Sequence, residues 1–161
     1  MPLDKSKYPF EHARTGQRRA ALFTLYAYEL NSQDLPICLE LCANMNIEAE
    51  LSKILRTDFS EYALSLALGV ESFKTEIDTL LERYSENWKL SRMPVIDLLI
   101  LRLALFEIMH VEKVPVSVSI DEAVEIAKDF GGEEDSHKFI NGLLGKIVRK
   151  EEDCICYEQQ N

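Results

Sequence analysis

Three groups of residues could do chemistry. The cysteines fall into two close pairs, Cys38 with Cys42 and Cys154 with Cys156. Four thiolates would suit a tetrahedral zinc ion, but structural zinc sites favour two short Cys-x-x-Cys turns, and neither pair has that spacing. One pair lies in an apolar helical stretch and the other in a polar tail, so they read as reduced thiols with no metal. The histidines, His12, His110 and His137, are scattered. His137 has no nucleophile or orienting partner in view, so it reads as a surface or capping residue. No Gly-x-Gly-x-x-Gly, P-loop, Gly-x-Ser-x-Gly or His-Glu-x-x-His occurs. No catalytic residue, metal or cofactor is expected, and the chain does not read as an enzyme.

The third group is cationic. Residues 1–19 hold Lys5, Lys7, Arg14, Arg18 and Arg19 against Asp4 and Glu11, a net +3. The whole chain carries −10, so the remainder carries −13. An acidic body disfavours nonspecific nucleic-acid binding, while a basic segment at one end suits an anionic partner there.

The elements that would position these groups are helical throughout. The 161 residues allow one domain or two small lobes, and an apolar share of 47% argues against disorder. Residues 1–13 read as a flexible basic arm. Periodicity predicts a first helix from about Thr15 to Asn31. A second opens at Pro36 and runs to about Ala43. A polar link follows. A long amphipathic segment then runs from about Phe59 to Tyr84, with Tyr62, Ala63, Leu66, Val70, Phe73, Ile77, Leu80, Leu81 and Tyr84 on one face.

Pro94 starts a helix to about His110 that is apolar nearly all round, the mark of a central core element. Its charged residues Asp97, Arg102 and Glu107 must then be paired or emerge at its ends. The run is too short and too charged to span a bilayer, and the polar start shows no secretory segment, so a cytoplasmic protein is expected. Ser119 and Glu122 have the spacing of a capping box for the next helix, which Gly131 and Gly132 end. Asp135 or Ser136 would cap the last helix.

That last helix contains "KFINGLLGKI", residues 138–147, with two glycines where each costs about 1 kcal/mol relative to alanine. Phe139, Ile140, Leu143, Leu144, Ile147 and Val148 share one face, with Phe139 at its margin. Gly142, Gly145, Lys138, Lys146 and Arg149 share the other. Bare backbone there predicts the close approach of another helix or of a ligand.

Four stretches together resemble the NusB family: "QRRAALFTLYAYEL" (17–30), "NWKLSRMPVIDLLILRLALFEI" (87–108), "PVSVSIDEAVEIAKDFG" (115–131) and "EEDSHKFINGLLGKI" (133–147). The likeness covers roughly residues 14–148 and is loose over 31–58. It implies an all-α fold, a compact bundle of about seven helices in two subdomains, over residues 14–150. Residues 151–161 form a polar tail. The implied job is transcription antitermination: with NusE, binding the boxA element of single-stranded RNA. The complex then joins RNA polymerase and other Nus factors to support ribosomal RNA synthesis.

The resemblance also places residues. Arg14, Arg18 and Arg19 occupy the family's arginine-rich helix start, where they would contact phosphates. Phe139 matches a position implicated in RNA contact, flanked by Asp135 and Lys138, and would offer a base a platform. Tyr26 and Asp97 match positions tied to the NusE surface; taken alone they read as a core residue and a helix-start acid. The basic cluster is interrupted by Thr15, Gly16 and Gln17, so RNA binding is expected to depend on NusE. Two other readings are a protein-only helical adaptor and a homodimer that masks its RNA face.

Overall fold

Helix α1 runs from Phe10 to Asn31, five residues earlier than the periodicity predicts, and takes in the last part of the expected arm. In the computed structural model the described residues are 10–31, 34–38, 61–86 and 88–151, with side chains from Arg14 onward. Lys5, Lys7, Cys42, the polar link, Cys154, Cys156 and the C-terminal tail lie outside them. The described elements are all helical. After α1 come a helical stretch over residues 35–38, α2 (Glu61–Ser72), α3 (Lys74–Tyr84), a 3-10 turn (Leu90–Arg92), α4 (Val95–His110), α5 (Val116–Phe130) and α6 (Ser136–Lys150). The all-α expectation holds. None of these helices is long and apolar enough to cross a membrane. The chain divides into two compact units, Met1–Leu68 and Gly69–Asn161, with the boundary inside α2.

In the first unit, α1 buries Ala20, Ala21, Leu22 and Leu25 completely. Thr24 is buried with them, and its hydroxyl donates to the Ala20 carbonyl at 2.8 Å, which satisfies a group that burial would otherwise destabilise. Pro36 falls in the short helical stretch as expected, and Leu35 and Cys38 are buried beside it in sequence. Burial, and secondarily Asp34, raises the Cys38 pKa, so this thiol is a packing group and not a nucleophile.

The second unit is built around α4. Every residue from Leu99 to Ile108 is buried, as a helix apolar on all sides requires. Helices α3, α5 and α6 all pack on it, and α5 packs most extensively on α6. The charges of α4 are paired as expected. Arg102 makes a bidentate contact to Asp78 of α3, with Nε and Nη2 at 2.8 and 2.9 Å from the two carboxylate oxygens. Glu107 accepts a hydrogen bond from the Ser119 hydroxyl at 2.6 Å.

That bond corrects the expected capping box. Pro115 already stands at the N-cap of α5, so the helix begins before Ser119 is reached. Ser119 is buried inside the first turns with its side chain turned to α4. The expected cap on α6 is corrected too. Asp135 occupies the N-cap position but makes no side-chain capping bond, and Ser136 is the first helical residue.

The long amphipathic segment is in fact two helices, α2 and α3, divided at Phe73. The backbone ladder nevertheless runs through the division: Phe73 N–H donates to Gly69 O at 3.0 Å, and Ile77 N–H to Phe73 O at 2.9 Å. The hydrophobic period therefore carries on unbroken while Phe73 leaves helical geometry (φ −109°, ψ 15°). Its ring stacks on His110 with centroids 4.0 Å apart and tilts against Phe106 at 6.0 Å. One turn earlier, Gly69 makes room for Phe106, whose Cζ would lie 2.0 Å from any Cβ placed there.

Candidate nucleic-acid and partner interface

The loop between α5 and α6 needs small residues. Gly131 closes α5, donating to Ala127 O at 2.8 Å. A Cβ on Gly131 would come within 2.5 Å of that carbonyl, and one on Gly132 within 2.4 Å of Pro94 Cβ. Gly131 has φ −54°, so what matters is its size and not access to left-handed backbone.

The close approach lets the loop bond to Asp97, in the first turn of α4. Gly132 N–H donates to Asp97 Oδ1 at 2.8 Å, and the Ser136 hydroxyl donates to Oδ2 at 2.6 Å. Ser136 Oγ in turn accepts from Glu133 N–H at 2.9 Å. Asp97 is only 3% exposed. Its carboxylate is committed to holding the loop, an internal role that its reading as a helix-start acid or a partner contact did not anticipate.

The loop and α6 then present Asp135, Lys138 and Phe139 together. Asp135 and Lys138 are exposed and 3.5 Å apart, a contact worth little in water. Phe139 is partly exposed, as its place at the margin of the apolar face predicts. It borders a pocket of about 140 Å³ whose lining includes Trp88, Met93, Pro94, Asp97 and Asp135. The Trp88 and Phe139 rings are 6.2 Å apart and tilted by 58°. Trp88 was not singled out in the sequence, although an aromatic residue inside the polar "SENWKLSR" connector was the available signal.

Further along α6, Asn141, Gly142 and Arg149 are exposed. A Cβ on Gly142 would meet nothing within 4 Å, and one on Gly145 would meet only the Arg149 side chain. The expectation that a helix packs closely on these glycines is therefore not met among the described residues; this backbone is open.

In the first unit, Arg14, Arg18 and Arg19 lie on neighbouring turns of α1. The Arg14 guanidinium carbon sits 3.7 Å from the centre of the Tyr62 ring, a cation–π contact that leaves Arg14 partly exposed. Arg18 and Arg19 are 7% and 4% exposed. Tyr26 is 38% exposed, outside the core to which its periodicity assigned it. Leu30, one turn on, is more exposed still. Together they leave an apolar stripe on the surface of α1.

A family model described as the NusB family matches residues 15–149. The chain belongs to the NusB family. It is 43% identical over 135 residues to the transcription antitermination protein NusB of Myxococcus xanthus (strain DK1622), covering 84% of this chain and 93% of that one. Over 89 residues it is 51% identical to the NusB of Acetivibrio thermocellus, a stretch covering 55% of this chain and 61% of that protein. Among solved structures, T. maritima NusB is 33% identical with a TM-score of 0.67, covering 86% of this chain and 91% of that one. A crystal structure of antitermination factors NusB and NusE in complex with dsRNA shares the fold at 24% identity. Its TM-score is 0.68, and 86% of this chain and 97% of that chain are covered. The NusB relatives are transcription antitermination proteins, and antitermination is the function that membership assigns.

Proposed function

We propose that this chain is a non-catalytic RNA-binding subunit of a cytoplasmic antitermination complex. It binds boxA-type single-stranded RNA together with NusE and joins RNA polymerase and other Nus factors. One observation carries this reading: Phe139 opens onto a pocket at the head of α6, beside exposed Lys138, on a helix whose outer face is open at Gly142 and carries Arg149 further along. An aromatic ring next to exposed cations is what unstacked bases and their phosphates require. In the first unit, Arg14, Arg18 and Arg19 carry positive charge of their own, and in the second Asp135 stands beside Lys138. A protein of the same fold has been solved with NusE and an RNA, there double-stranded, and this motivates NusE and RNA as the partners to test. Tyr26 and Leu30 supply an exposed apolar stripe for NusE, with Asp97 holding its own unit in shape. The acidic remainder of the chain opposes RNA, so affinity depends on NusE, and the contacts of cations with phosphates make it salt-sensitive.

Fluorescence anisotropy of a labelled boxA RNA tests this, using the protein alone and with NusE, at two salt concentrations and against a scrambled RNA. Selective binding that tightens with NusE is expected. Phe139→Ala and Lys138→Glu should weaken it. The burial of Arg18 and Arg19 favours a second reading, a protein-only adaptor. Under that reading RNA is not bound selectively in either format, while assembly with NusE persists.

A further inference from the structure

We propose that Trp88 is a second base platform, and that Lys89 and Arg92 receive the phosphate next to the stacked base. The proposal rests on the RNA reading above and adds a nucleotide-sized site to it.

Trp88 lies in the connector between α3 and the 3-10 turn. Two backbone bonds tie down residues on either side of the indole: Trp88 N–H donates to Ser85 O at 3.2 Å, and Arg92 N–H to Lys89 O at 2.9 Å. The indole is nonetheless 53% exposed. It borders two hollows. One is the apolar pocket shared with Phe139. The other is a larger cleft of about 500 Å³, mixed in polarity, whose charged lining is Lys89, Arg92, Glu82 and Glu86.

The charges in the cleft do not cancel. Glu86 is engaged by Lys146 at 3.1 Å. Lys89 and Arg92 are exposed and make no salt bridge among the described residues, leaving two cations against Glu82. The apolar pocket also has Glu133 and Asp135 in its lining, with Asp135 beside Lys138. A flat base with its phosphate attached matches this arrangement at both points. An apolar side chain from a protein would fill the first hollow and leave the two cations unused. The 58° tilt rules out a parallel sandwich. The two rings, 6.2 Å apart, already touch each other and leave no gap for a base between them, so the base stacks on the exposed part of the indole. Stacking of this kind tolerates any base, so Trp88 contributes affinity more than sequence choice.

Trp88 is the only tryptophan in the chain, so its emission reports directly on the site. A short boxA-type single-stranded RNA is titrated into the full-length protein, with and without NusE, and tryptophan emission is followed beside the anisotropy of labelled RNA. NusE tryptophans, where present, are replaced. Quenching with the same midpoint as the anisotropy is expected. Trp88→Leu should weaken RNA binding by roughly tenfold, with Trp88→Phe recovering part of the loss. Lys89→Ala with Arg92→Ala should flatten the salt dependence. Circular dichroism confirms that each variant folds.

RNA binding by anisotropy with unchanged emission and an unchanged Trp88→Leu affinity overturns this site and leaves the RNA reading intact. No binding by anisotropy in either format overturns both. Emission that responds to NusE but not to RNA overturns the proposal in favour of a protein contact.

Discussion

The hydroxyl of Ser136 lies 2.6 Å from Oδ2 of Asp97, joining the first residue of α6 to the first turn of α4 across 39 residues of sequence. The other carboxylate oxygen holds Gly132 N–H. Replacing Asp97 by alanine strands two donors, the buried Ser136 hydroxyl and the part-buried Gly132 N–H. Hydrogen bonds to a charged acceptor contribute more than neutral ones, so Asp97→Ala should lower stability by ~3 kcal/mol in urea denaturation. A loss below about 1 kcal/mol would mean that water replaces both bonds.

Ser119 distinguishes a helix cap from a contact between helices. Its hydroxyl is buried and donates to Glu107 at 2.6 Å. Ser119→Ala should cost ~1–2 kcal/mol. Ser119→Asp, a change that a genuine N-cap tolerates, should cost more, because it sets a second carboxylate against Glu107.

The two kinds of glycine should respond in opposite directions. Gly142 faces open space, so Gly142→Ala should stabilise the helix by about 0.5–1 kcal/mol. Gly69→Ala drives a methyl group into the Phe106 ring and should destabilise by ~2 kcal/mol. Thermal unfolding of the two variants measures both signs.

Asp78 and Arg102 form a mostly buried pair, with 22% and 8% of their side-chain surfaces exposed. Removing one partner leaves the other charge desolvated. Asp78→Ala should cost about 3 kcal/mol, whereas replacing both residues together with apolar ones of similar volume should cost less. A double-mutant cycle reads the difference.

Tyr84 gives a pH signature. Its hydroxyl donates to Glu151, and that bond, followed by burial, raises its pKa above the usual value near 10. The folded state therefore favours the protonated phenol. The contribution is complete below the unfolded pKa and disappears as the pH rises through the folded one. The stability gap between the parent protein and Tyr84→Phe should be constant at neutral pH and close from about pH 10 upward. A gap that stays constant to the alkaline limit would disprove the linkage.

Periodicity and charge made the second unit legible where contacts lie on one face of one helix. The all-round apolar run of 96–109 placed α4 at the centre and required partners for Arg102 and Glu107. Phe139 fell at the edge of its face and is partly exposed. What was illegible depends on residues far apart in the chain. Ser119 and Ser136 look like caps locally, yet they bond to Glu107 and Asp97 on another helix. The division at Phe73 leaves no trace in the pattern because the hydrogen-bond ladder continues through it. The glycines of α6 suggested a close neighbour, since the pattern records that backbone is bare and not what stands opposite it. Tyr26 shows the same limit: a periodic aromatic position lies exposed beside Leu30.

Helix α6 is fastened at both ends. Ser136 holds its start to α4, and Glu151, immediately after its last turn, holds Arg83 and Tyr84 at the end of α3. A spar fixed at two points cannot slide or fray when something is laid along its middle. A molecule that docks beside Gly142, between Lys138 and Arg149, therefore meets a preorganised rail. Little conformational entropy is lost on the protein side, so the ordering cost of recognition falls chiefly on the incoming chain.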